Sequence, residues 1–308
     1  MSGEITAPHL PVMLAEVLEA LAVRAQGQYV DGTFGRGGHS AAILARLGPE
    51  GRLLAVDRDP AALVSRPDLT VDSRVELVHS PFGNMGELLQ TRALTGLVDG
   101  ALLDLGVSSP QLDDPTRGFS FRADGPLDMR MDPTQGIPVS SWLATAAERE
   151  ISDCLWHYGE ERRSRQIAAR ICRQRELEPI LTTRQLASLV ASVNRGGSHR
   201  IDPATRTFQA LRIFINEELD ELRRALEALT AALAVAGRLV VISFHSLEDR
   251  IVKRFFRDLA QPLEADGRRG APGRFRLVLR KSVEAGEAEI ARNPRARSAR
   301  LRALERVA

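Results

Sequence analysis

At 308 residues, 44% hydrophobic and 5% aromatic, the chain has the composition of a globular protein with one large core, or a core plus a sizeable insertion. No apolar run reaches the ~20 residues that span a bilayer, the start of the chain lacks a basic region followed by an apolar stretch, and the two cysteines, Cys154 and Cys172, form no CxxC pair. These features exclude membrane-helix proteins, disulfide scaffolds and structural zinc sites; the expectation is a cytoplasmic protein with no metal and no membrane partner. The net charge of +2 hides an asymmetry: residues 250–308 hold sixteen Lys/Arg against seven Asp/Glu, which leaves the first 249 residues near −7. A basic C-terminal fifth suits a phosphate backbone, and a solvated charged face gives the same count.

In chain order, residues 14–21 read as a short amphipathic helix. Tyr29-Val30-Asp31 closes a strand, a loop holding Gly32, Gly35, Gly37 and Gly38 follows, and residues 41–47 continue a helix. Glycines there let the backbone approach a ligand and take positive φ. Residues 52–57, 75–79 and 100–104 read as further buried strands, with helices from residue 61 and around 85–91. Strands alternating with helices predict a parallel, doubly wound α/β sheet. The rhythm breaks after Asp104. Residues 105–139 are rich in Gly, Pro, Asp and Ser, and 140–200 read as helices only. Asp202-Pro203 then opens a long helix in which Phe208, Leu211, Ile215, Leu219, Leu222, Leu226 and Leu229 share a face, with a bend near Asn216. It ends at Ala236-Gly237, and residues 238–244 form the strongest strand. The expected domains are a discontinuous core, 1–112 with 216–308, and a helical insertion, 113–215.

Open parallel sheets bind ligands beyond the carboxyl ends of their strands. Here those ends carry Asp31 to His39, Asp57, Phe82, Asp104 and Phe244-His245. Asp57 lies 19 residues beyond Gly38, the spacing of an acid that accepts from ribose hydroxyls. The glycine spacing fits GxGxxG poorly, which argues against an NAD-dependent oxidoreductase. Acids at positions 31 and 104 suit the ammonium and sulfonium of S-adenosylmethionine better than a pyrophosphate, so methyl transfer is favoured. His245-Ser246 with Glu248 and Asp249 imitates a hydrolase cluster, but Ser246 to Asp249 reads as a helix-capping box.

Several blocks closely resemble the RsmH (MraW) family of bacterial methyltransferases, which form N4-methylcytidine in small-subunit ribosomal RNA. They are Asp31-Gly32-Thr33-Phe34-Gly35-Arg36-Gly37-Gly38-His39-Ser40, Asp57-Arg58-Asp59-Pro60, Asp104-Leu105-Gly106-Val107-Ser108-Ser109-Pro110-Gln111, Arg117-Gly118-Phe119-Ser120-Phe121 and Ser243-Phe244-His245-Ser246-Leu247-Glu248. The likeness spans nearly the whole chain and departs at Ala236-Gly237, where the family often has Pro-Gly-Gly. It implies a class I S-adenosylmethionine-dependent methyltransferase, Rossmann-like, with an inserted helical domain for substrate recognition. It also implies a cofactor site at Gly37, Gly38, His39, Asp57, Phe82, Asp104 and Gln111, and cytidine 1402 of 16S rRNA in the small ribosomal subunit as target. An alternative is a nucleotide-binding RNA module that has lost catalysis.

Methylating C5 of cytosine needs a cysteine nucleophile, and neither cysteine lies near a strand end. N4 methylation needs positioning and a hydrogen-bond acceptor instead. Asp104 and Ser109, or a carbonyl near Ser109, are the candidates for that acceptor. Phe119, Phe121 and Arg130 in the long loop are candidates for stacking on or clamping a flipped base, with core packing as the other reading of the phenylalanines; His245 is a further RNA candidate. Oligomeric state stays open, a homodimer included.

Overall fold

The computed structural model describes residues 11–194, 202–262, 270–271 and 273–308. The chain divides into two compact units, residues 1–106 with 220–308, and residues 107–219. The boundaries expected at 113 and 215 both fall inside the second unit, because the segment after Gly106 packs with the helices that follow it.

In the first unit, β1 (Gln28–Asp31), β2 (Arg52–Asp57), β3 (Val75–His79), β4 (Val98–Asp104), β5 (Leu233–Ser243), β6 (Phe275–Leu277), β7 (Val283–Glu284) and β8 (Arg300–Arg306) form one sheet. The order is β3-β2-β1-β4-β5-β8-β6, and β7 also pairs with β8. The first five strands are parallel; β8 runs antiparallel to β5. This is the Rossmann-like doubly wound sheet expected from the alternation of elements, here closed on one side by antiparallel strands. Successive side chains of a strand point to opposite faces. Accordingly Leu53 and Ala55 join one apolar cluster with the helix Leu14–Leu21, while Leu54 and Val56 join another with Leu222, Leu226 and Leu229. Strands covered on both faces explain the continuous apolar runs in the sequence.

Two local features depart from the sequence reading. The helix Glu218–Ala232 stops earlier than expected, and β5 starts at Leu233. Its register against β4 jumps from Val98↔Leu233 to Gly100↔Arg238, and Ala236 lies at φ 64°. A Cβ on Gly237 would sit 2.5 Å from the Val98 carbonyl oxygen, so the irregular crossing accepts only glycine there. The second departure is β8, which sequence reasoning placed in a basic tail. Its Leu301, Ala303 and Leu304 are buried, and its charges are paired: Arg302 with Asp249, and Glu305 with both Arg238 and Arg276.

The second unit packs the helices Glu148–Gly159, Ser164–Leu177, Thr183–Val193 and Ala204–Ile215 around Leu143, Ile151, Leu155, Ile167, Leu186 and Leu211. Asp202 accepts the Ala204 amide at 2.8 Å and caps the last of these helices. At the expected bend the helix breaks outright. The buried Asn216 accepts from Met131 N and donates to the Met129 carbonyl, each at 2.8 Å, and Glu217 takes φ 52°. The long segment after Gly106 is therefore held by hydrogen bonds and by its own Phe119, Leu127, Met129 and Met131 in the core.

Candidate cofactor site at the strand ends

Chain order and sheet order reverse at β1 and β4, the switch point where open α/β sheets leave a crevice. Asp31 pairs in register with Leu102, and Asp104 with Ile242, so the carboxyl ends of β1, β4 and β5 lie along one edge. Asp57 ends β2 opposite His79. The glycine loop hangs from these ends by backbone bonds: Gly32 N donates to Leu102 O at 2.9 Å and Phe34 N to Val56 O at 2.9 Å.

Asp31 is not turned to solvent. It is 1% exposed; Oδ2 accepts from the Ser40 hydroxyl at 2.7 Å and Oδ1 from Thr33 N at 3.1 Å. Burial raises its pKa against the lowering by the Ser40 and Thr33 hydrogen bonds. It thereby fastens the loop to the helix Gly38–Leu44. Gly37 precedes that helix at φ 65°, in the left-handed region, with Gly38 as the first helical residue. Thr33 completes the fastening: its hydroxyl accepts the Asp104 amide at 2.6 Å. Sequence reasoning gave Thr33 and Ser40 no role; the signal was a pair of hydroxyl residues inside a loop otherwise built from glycine.

Asp57 holds the turn after β2. Oδ2 accepts the Gly35 amide at 2.6 Å and Oδ1 the Asp59 amide at 2.8 Å. Burial nevertheless dominates those bonds and pushes its carboxyl up to about 6. Each oxygen keeps a second lone pair for another donor. Phe82 stands half-buried at the start of the turn after β3, against the apolar cluster under the sheet.

At the switch point His39 and Asp104 meet. His39 is 5% exposed, and its Nε2 lies 3.5 Å from Asp104 Oδ2, the long limit of a hydrogen bond. Among the described residues neither ring nitrogen has a closer partner, and Asp104 Oδ1 has none. Burial acts to lower the imidazole's pKa, but the Asp104 hydrogen bond and the charges of Asp104, Asp31 and Glu289 outweigh it and leave it raised. The result is a cradle with unsatisfied acceptors and donors, which a polar, positively charged ligand would complete.

His245 follows β5 and caps the helix Ser246–Ala260. Glu248 N donates to His245 Nδ1 at 3.5 Å, and the Glu248 carboxylate accepts from Phe244 N and His245 N at 2.8 and 3.2 Å. The capping box is thus His245 with Glu248 rather than Ser246 with Asp249, whose carboxylate is taken by Arg302.

The remaining predicted residues lie in the helical unit. Ser109 begins the helix Ser109–Asp113, and the Gln111 side chain accepts the Ser108 amide at 2.8 Å in a capping box; both residues are buried. The three residues assigned to base stacking or clamping are engaged within this unit. Phe119 is buried beneath the Arg117 guanidinium, and Phe121 packs edge-on against Phe208 at 4.8 Å. Arg130 forms a bidentate pair with Asp128 and donates to the carbonyls of Gln135 and Gly136. Packing, the other reading of the phenylalanines, accounts for the buried Phe119, while Phe121 stays half-buried.

Comparison with known proteins agrees with this architecture. A family model described as the MraW methylase family matches residues 6–307. A protein of Thioalkalivibrio sulfidiphilus named ribosomal RNA small subunit methyltransferase H is 53% identical over 317 residues, covering 100% of both chains. Proteins of the same name from Nitrosococcus oceani and an Azoarcus species are 52% identical (99% of both chains) and 54% identical (97% of this chain, 96% of the other). Matched nearly end to end by that family and half-identical to its relatives along their whole length, the chain belongs to the MraW methylase family.

Proposed function

We propose that the protein methylates N4 of cytidine 1402 in 16S rRNA, acting on small ribosomal subunits in the cytoplasm. The cofactor is S-adenosylmethionine, and the doubly wound sheet with its antiparallel strand beside β5 is the class I methyltransferase arrangement. The observation that carries the reading is the His39–Asp104 cradle at the switch point, where a buried carboxylate oxygen lacks a partner among the described residues. An unpaired acceptor beside a buried imidazole suits a cationic ligand and would be costly without one.

The bound cofactor supplies an activated methyl group on a positively charged sulfur. On the protein's side, Asp104 offers its free oxygen to positive charge, Asp57 accepts from ribose hydroxyls at the end of β2, and the Gly37-Gly38-His39 turn shapes the floor. Phe82 provides an apolar wall and Gln111 a further polar contact. The cytosine amine has its lone pair delocalised into the ring, so the protein must orient it and accept a hydrogen bond from its N–H, the proton leaving to solvent after methyl transfer. Ser109, five residues beyond Asp104, is assigned that acceptor role. His245, partly buried at the end of β5, is a candidate for contact with the target nucleotide.

The thiols support attack by an exocyclic amine rather than covalent C5 chemistry. Burial pushes Cys154 up to about 12 and raises Cys172 as well, so neither is a ready thiolate. The test is transfer of labelled methyl to small subunits from a strain lacking the gene, followed by nucleoside analysis. N4-methylcytidine at position 1402 is expected; label in 5-methylcytidine or only in protein overturns the reading.

A further inference from the structure

The helical unit carries as many arginines as acidic residues, fifteen of each over 107–219, yet they are not evenly spread. Residues 162–184 hold seven arginines and two glutamates. Several arginine heads in the unit are consumed by its own architecture: Arg163 donates to the Val193 carbonyl, Arg175 to those of Leu143 and Ala146, and Arg212 pairs with Glu218. Arg165, Arg170 and Arg173 differ. All three are exposed, and none has a hydrogen-bond or ion-pair partner among the described residues.

Their placement on the helix Ser164–Leu177 is fixed by its other side, where Ile167, Ala168 and Ile171 are buried in the core. At about 100° per residue the three arginines fall within an arc of about 140°, and Arg165 and Arg173 stand about 12 Å apart along the axis. One acid, Glu176, shares the arc, at its C-terminal end. With Gln166, Ser192 and Val193 the arginines line an open groove of about 530 Å³. Among the described residues the lining has guanidinium forks, an amide and a hydroxyl, but no aromatic ring on which a base could stack.

We propose that this groove binds the phosphodiester backbone of the RNA substrate, an inference that rests on the RNA-methylating reading above. Guanidinium forks match phosphate oxygens bidentately, and a span of about 12 Å admits more than one phosphate. Phosphate contacts fix register and orientation without reading sequence. The groove therefore governs how tightly the subunit is held, while the target base is selected elsewhere.

The test replaces all three residues at once, Arg165→Gln/Arg170→Gln/Arg173→Gln, in the full chain. Binding to small ribosomal subunits and to a naked 16S rRNA fragment containing the decoding region is measured against salt, alongside methyl-transfer kinetics. The expected result is an affinity loss of about tenfold or more at ~0.15 M salt for both RNAs and a salt slope shallower by about 2. S-adenosylmethionine affinity, the rate at saturating subunit and the modified position stay as in the wild type, and the corresponding triple lysine variant keeps most of the binding. An unchanged affinity and slope, with wild-type protein active, overturns the proposal. So does a loss seen with subunits but not with naked RNA, which would assign the groove to an acidic protein surface. Wild-type protein that binds RNA with the full slope but methylates no cytidine would instead refute the functional reading and leave the groove standing.

Discussion

The carboxylate of Asp57 accepts the backbone amide of Gly35 at 2.6 Å, tying the end of β2 to the glycine loop that follows β1. The same carboxyl is pushed by burial from an ordinary 3.8 to about 6. Two consequences of opposite sign follow. Burial favours the protonated acid, so its contribution to stability is fullest below pH ~3.8 and is lost as pH rises through about 6, by roughly 3 kcal/mol. A ligand that donates hydroxyls to the carboxylate favours the ionised form, so cofactor affinity rises over the same range. Isothermal titration should give a dissociation constant about tenfold weaker at pH 5 than at pH 8. Asp57→Asn should bind weakly at both, and a wild-type affinity flat with pH would remove Asp57 from the ribose role.

The imidazole of His39 is held above its ordinary value by Asp104 against the opposing pull of burial. Its stabilisation is therefore present below pH ~6.5 and lost as pH rises through the raised value. In Asp104→Asn burial is left largely unopposed, and the His39 titration followed by NMR should move to lower pH. A titration that stays in place would show that the 3.5 Å approach carries no interaction.

Arg130 makes a bidentate bond to Asp128 within the helical unit. Arg130→Ala should lower the melting temperature of the protein by several degrees, consistent with a loss of about 1–3 kcal/mol for a charge-assisted pair. The salt slope of RNA binding should not change. A shallower slope with unchanged melting would return Arg130 to the substrate.

Gly125 is enclosed by backbone: a Cβ there would lie 1.9 Å from the Pro115 carbonyl oxygen. No side-chain rotation relieves that overlap. Gly125→Ala should cost about 1–3 kcal/mol in denaturant unfolding by overpacking, and cofactor affinity should survive wherever the protein remains folded.

The buried thiol of Cys154 should resist Ellman's reagent in the native protein and react only on unfolding. Replacing both cysteines with alanine should leave the methylation rate within about twofold once folding is matched, as expected for chemistry that uses no thiolate. A complete loss of transfer by a folded double variant would reopen covalent catalysis.

The parallel half of the sheet was legible because strands buried on both faces have to be apolar throughout, as 52–57 and 100–104 are. The same runs placed Asp57 and Asp104 at the ends of β2 and β4, where the structure has them. Three things were hidden. β8 reads Arg-Leu-Arg-Ala-Leu-Glu-Arg, a composition suited to helix or solvent, and only pairing with β5 and the partners of Arg302 and Glu305 make it a strand. Phe119, Phe121 and Arg130 looked like ligand-binding residues because a long loop rich in them is usually functional. Their packing depends on helices far along the chain. The salt-free arginines at 165, 170 and 173 could not be told from their paired neighbours, since pairing is decided by which carbonyls and acids the fold brings near.

β4 and β5 are hydrogen-bonded neighbours, yet 128 residues separate Asp104 from Leu233. On the ribosome, at ~5–20 residues per second, that interval lasts roughly ten seconds. Throughout it β4 presents an unpaired edge, a template for aggregation. Meanwhile the helices of the second unit, all made before β5, can pack on one another once the last of them, Ala204–Ile215, has emerged. Nascent chains arrested when residue 219 has left the tunnel but β5 has not should therefore protect the described residues of 107–219 from protease while residues 28–104 stay open to cleavage and to chaperones.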